Sequence, residues 1–147
     1  MTPYTVRNGC ITPPQVSLFK KMCALVERVP DPEWSVELSC HHLCHALARI
    51  CPGAVAQDGY FGKGCEHSWL VLEPSLEAAR TDWRARIVAD MYPWGGASPL
   101  LVYTFWSLQW NKLYIADDRV IQNVRSRETA FDVHVEELVS LLQAVTS

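Results

Sequence analysis

Three short stretches hold the side chains best suited to covalent chemistry: SCHHLC beginning at Ser39, EHSWLVL beginning at Glu66, and IVADMYP beginning at Ile87. Acyl transfer by a cysteine requires a thiolate, a base that creates it, and a third group that orients the base. Ser39 is a good helix N-cap, and Cys40 follows it directly. There the unpaired amides and the macrodipole of a helix start favour the thiolate. His67 supplies an imidazole, whose ordinary pKa near 6.5 suits both removal and return of a proton. Asp90 supplies a carboxylate that can accept the second ring N–H and fix the tautomer. Its neighbours are apolar on both sides, and a buried carboxylate in that setting needs a hydrogen-bonded partner. The amide of Cys40 is one candidate oxyanion donor, and the Trp34 indole is another.

Each of these residues also has a plainer reading. Cys40 shares a helical stripe with Leu43, Cys44, Leu47 and Cys51, as a packed core thiol does. His67 shares a strand face with Trp69 and Val71, as a satisfied core histidine does. A zinc site is a further alternative. His41 and His45 stand four apart on a helix, as do Cys40 and Cys44, and Cys65-Glu66-His67 adds donors from a strand. Against zinc, no C-x-x-C pair occurs, and the two helical pairs lie about 100° apart around the axis. Cys44 as nucleophile sits a full turn inside the helix and loses most of the dipole effect. The His41-His42 pair reads as flanking the helix start or facing solvent, and Asp58 and Asp82 as ordinary surface acids.

The elements that must position these groups follow from periodicity. Residues 14–29 read as an amphipathic helix after Pro13-Pro14, with Val16, Phe19, Met22, Cys23, Val26 and Val29 on its apolar face. Pro30 and Pro32 break the pattern. A second helix is expected from an N-cap at Ser39 to just before Cys51-Pro52-Gly53; a start at Asp31 is the less favoured version. Residues 54–64 suggest a short strand and a turn, and 65–73 a strand. Residues 74–86 are ambiguous, with one or two helical turns. Further strands are expected in ARIVADMY, LLVYTFW and KLYIA. Asp118 is expected to cap a short helix through Val124. Residues 134–145 form a terminal helix whose Val135, Leu138, Val139, Leu142 and Val145 dock over the sheet. Helices first and strands afterwards is an α+β arrangement.

From Ser39 to Pro93 the chain resembles the transglutaminase-like branch of the papain-like cysteine enzymes. SCHHLCHALARICPG resembles the family's nucleophile helix, which ends in an Arg followed by a Gly. GYFGKGCEHSWLVLEP resembles the segment leading into its His strand, with the H-[SA]-W pattern, and RIVADMYP resembles its Asp strand. The resemblance implies Cys40 as nucleophile, His67 as base and Asp90 as orienting acid, in the family's order. It also implies a helix packed on an antiparallel sheet, with the nucleophile at the helix tip facing the sheet.

Composition sets the outer bounds. The chain has 147 residues, 49% hydrophobic and 20% charged, with net charge −3, which suits one domain over 1–147 and excludes a disordered chain. No basic run exceeds Lys20-Lys21, so neither a nucleic acid nor a membrane is expected as a partner. No export signal is visible, and six cysteines are about half the density of a disulfide scaffold, so free thiols and a cytoplasmic location are expected. No phosphate-binding glycine loop occurs, and neither a cofactor nor a metal is expected. The sequence therefore reads as an α+β, papain-like/transglutaminase-like protein, with N-terminal helices on an antiparallel sheet and a C-terminal helix. The expected reaction is thioester-forming acyl transfer or hydrolysis on a protein or peptide substrate, with Trp34, Trp69 and Trp94 as groove candidates. The alternatives are a non-catalytic protein-binding module of the same fold and a small zinc-stabilised interaction domain.

Overall fold

Pro13, with its fixed φ and missing N–H, starts the first helix, and the apolar stripe of Phe19, Met22, Cys23 and Leu25 buries one of its faces. The computed structural model describes residues 5–7, 11–28, 39–73, 86–91, 98–104 and 112–144. In chain order they form β1 (Thr5–Arg7), α1 (Pro13–Arg28), α2 (Cys40–Ile50), β2 (Ala54–Phe61), β3 (Cys65–Leu72), β4 (Ile87–Asp90), β5 (Leu100–Tyr103), β6 (Tyr114–Ala116), α3 (Arg119–Arg127) and α4 (Phe131–Ala144).

The six strands make one sheet in the order β1-β5-β4-β3-β2-β6. Its neighbours are antiparallel except for β1, which joins β5 in parallel at the edge. The chain is thus α+β, as its pattern predicts. β1 was not foreseen, because three residues are too few to show an alternation. β2 is longer than expected, since Gly59 interrupts its pattern without ending it. The hairpin from β2 to β3 turns on Gly62 and Gly64, whose φ values of 68° and 83° suit glycine.

Alternation sends the two faces of the sheet to different partners. Leu70, Leu72, Ile87, Ala89 and Leu101 join the main core with α1, α2 and α4. Trp69, Val88 and Val102 form a second cluster on the opposite face, with Val71, Leu100 and Tyr114 against it. α2 lies on β2 and β3, and α4 packs mainly on α2, so the terminal helix adds an outer layer instead of docking directly over the sheet. Its Val135, Leu138, Val139 and Leu142 are buried as expected, while Val145 lies outside the described residues.

The helix ends bring two corrections. Asp118 makes no side-chain cap bond to α3. Asp117 takes that part, accepting from the Arg119 amide at 3.0 Å. The helix also runs on to Arg127 instead of stopping at Val124. α2 begins where the Ser39 cap places it: Ser39 is extended, with φ −114° and ψ 168°, which excludes a continuous helix from Asp31.

Candidate active site

Cys40 is the first residue of α2 and is half-buried. As one of the first helical residues its amide has no acceptor within the helix. Ser39 accepts weakly from the His42 amide at 3.5 Å, and the Ser39 amide donates to His42 Nδ1 at 3.1 Å, closing a reciprocal box around the helix start.

His67 and Asp90 meet because of strand register. β3 and β4 pair Leu70 with Ala89 and Val71 with Val88, so one step on Asp90 comes opposite Trp69 and diagonal to His67. His67 Nε2 lies 3.0 Å and 2.9 Å from the two Asp90 oxygens. Both residues are only 1% exposed. Asp90 has a second donor that the sequence did not reveal, the Tyr114 hydroxyl, at 2.7 Å from Oδ2. Phe61 and Trp69 flank the imidazole, and Tyr114 packs on both of them, at ring-centroid distances of 5.1 to 6.1 Å.

The electrostatics of the imidazole are decided by competition. Burial alone would push its pKa down. The Asp90 hydrogen bond and the neighbouring Cys40 thiol outweigh that, raising it from 6.5 to about 9. Tyr114 is pushed upward by burial and by the adjacent Asp90 charge, so it stays a donor. Cys44 is fully buried, and burial followed by the Cys40 and Asp90 charges raises its thiol well above the ordinary range. That removes it as a rival nucleophile. Burial likewise raises Cys23, to about 11, and Cys51.

The other expected residues are placed as follows. Trp69, taken from sequence as a groove residue, is instead 2% exposed, because its strand face packs on Val88, Val102 and Tyr114. Trp34, Trp94 and Asp82 lie outside the described residues. His41 and His42, expected to flank the site or face solvent, are both buried. Asp58 is no surface acid: it is buried and bonded by Ser68 and, at 3.0 Å, by His45 Nε2. Ser68 gives its proton to Asp58, so it accepts from His41 Nδ1 at 2.6 Å. Burial is the main cause that lowers His41 to about 4, which keeps this ring neutral next to Cys40.

The histidines among the expected alternative zinc donors are therefore divided between two networks: His41 and His45 joined through Ser68 and Asp58, and His67 with Asp90. A different trio, His42 Nε2, Glu128 Oε2 and His134 Nδ1, lies within 4.8 Å among the described residues. It fits a metal poorly. A backbone N–H can only donate, so His42 Nδ1 is the acceptor and Nε2 carries the ring proton. At 2.6 Å from Glu128, that proton makes a hydrogen bond.

Comparison with known proteins gives no match to any family model, curated protein or solved structure. The geometry stands alone. No helix among the described residues is long and apolar enough to cross a membrane.

Proposed function

We propose that Cys40, His67 and Asp90 act as a catalytic triad in thiol-dependent acyl transfer or hydrolysis on a peptide or carboxamide. The observation that supports this most is the His67 ring, held by Asp90 at 2.9 Å and raised to about 9 with Cys40 as its other neighbour. A ring protonated near neutrality beside a thiol at a helix start is the setting that a thiolate–imidazolium pair requires. A partly buried Cys40, against a buried ring and carboxylate, suits an attacking residue.

In this mechanism the Cys40 thiolate attacks the carbonyl carbon, forming a C–S bond and an oxyanion that the Cys40 amide helps to hold. His67 gives its proton to the departing nitrogen, the C–N bond breaks, and a thioester remains. The neutral ring then takes a proton from water or an amine as its O or N attacks. The C–S bond breaks, and the thiolate and imidazolium are restored. Water makes the protein a protease or deamidase; an amine makes it a transglutaminase. The sequence resemblance described above and an α+β core with a helix on an antiparallel run favour a transglutaminase-like, papain-like scaffold acting on protein or peptide. The five described cysteines are unpaired, consistent with work in a reducing, cytoplasmic setting.

The test combines labelling and turnover. Iodoacetamide should modify Cys40 well below pH 8 and faster than Cys65, and His67→Ala should slow it. A glutamine peptide with and without a primary amine should release ammonia, and His67→Ala should cut that by about 10²–10⁴-fold. Alkylation of Cys40 no faster than Cys65 at pH 6, with no turnover, leaves only the non-catalytic binding module.

A further inference from the structure

Glu128 closes α3, three residues before α4 begins at Phe131. Its Oε2 lies 2.6 Å from His42 Nε2 and 3.3 Å from His134 Nδ1. His42 stands at the third position of α2, and its opposite ring atom, Nδ1, accepts from the Ser39 amide. A line of donors therefore runs from the Ser39 amide through the imidazole to the Glu128 carboxylate. The usual partner in such a box is Glu or Gln, a flexible chain that serves only the N-cap amide. Here the partner is a rigid ring, tilted against Phe131 at 5.1 Å and fastened at its far side to another pair of helices. Cys40 lies within the loop so closed.

We infer that Glu128 is a positioning residue for Cys40. It fixes the rotation of the first turn of α2, and with it the direction in which the sulfur leaves the helix. Its catalytic consequence rests on the triad reading; the tether itself does not. Burial alone would raise the Glu128 carboxyl, yet the His42 hydrogen bond and the nearby His134 ring lower it, so the anchor is charged at neutral pH.

Two readouts test this in the full-length chain. Imidazole ¹⁵N NMR should find His42 protonated at Nε2 near neutrality and unchanged by EDTA or by added zinc. An Nδ1-protonated or zinc-bound ring overturns the tether. Alkylation of Cys40, followed by mass spectrometry of its peptide, reads the consequence. His42→Gln keeps an ordinary capping box and severs the link; Glu128→Gln keeps an acceptor; Glu128→Ala removes it. His42→Gln and Glu128→Ala should each slow Cys40 about tenfold at pH 7 and shift its pH profile upward. Their combination should be no slower than either alone. Glu128→Gln should stay within about twofold, restoring the wild-type profile. Lower melting temperatures with an unchanged Cys40 rate and profile overturn the positioning role. Slow alkylation already in the wild-type chain overturns the triad, and the tether is then decided by the His42 tautomer.

Discussion

The proton on His67 is governed by two opposing influences of known sign. Desolvation favours the neutral ring and Asp90 with Cys40 favours the charged one, and the second pair prevails. Titration of His67 by NMR should therefore give a midpoint near 9. In Asp90→Asn the carboxylate charge is gone, and the midpoint should fall while burial still acts; the alkaline limb of turnover should move down with it. Tyr114→Phe should have the smaller effect, because Asp90 keeps its charge and its contact with His67 and loses one hydrogen bond worth about 1.5–3 kcal/mol. The sequence pointed to Cys40, His67 and Asp90 because each has a recognisable neighbourhood: a cap, an alternating strand, an apolar flank. It gave no sign of Tyr114, whose role is set by strand neighbours far along the chain. Asp58 and Glu128 were hidden for the same reason, since their donors arrive from other elements.

Two of the four elements that carry the site, β6 and α2, each depend on one small residue. Gly59 sits between His67 on β3 and Ala116 on β6. A methyl group there would lie 2.1 Å from the Ile115 carbonyl oxygen and 2.9 Å from the Ala116 Cα, both backbone atoms. Gly59→Ala should thus push β6 away and cost about 1–3 kcal/mol in urea unfolding. It should also reproduce the pH profile of Tyr114→Phe, since Tyr114 moves with the strand. Ser39→Ala should cost about 1 kcal/mol and slow Cys40 alkylation, whereas Ser39→Gly should cost a few tenths. α1, α2, β3 and α4 could be read from periodicity and caps. The strand expected in KLYIA appears as β6, whereas β1, at three residues, could not be read, and neither could the longer reach of β2 through its glycine. Edges of a sheet are defined by what they pair with, which a local pattern does not contain.

Taken as a whole, the folded state holds two histidines away from their ordinary pKa in opposite directions. His67 is raised to about 9, so its contribution is full below pH 6.5 and is lost as pH climbs through 9. His41 is lowered to about 4, so its contribution is full above 6.5 and is lost as pH falls towards 4. Thermal unfolding should show greatest stability near pH 6.5 and decline on both sides. His67→Gln should flatten the alkaline side and His41→Gln the acidic side. The strand order has one more consequence. Among the described strands β6 comes last in the chain, yet it takes a place beside β2, the second. A nascent chain halted before β6 carries thiol, imidazole and carboxylate but lacks the phenol that steadies the acid. The buried carboxylate thus receives its second donor only once the chain has passed Tyr114 and β6 has paired with β2.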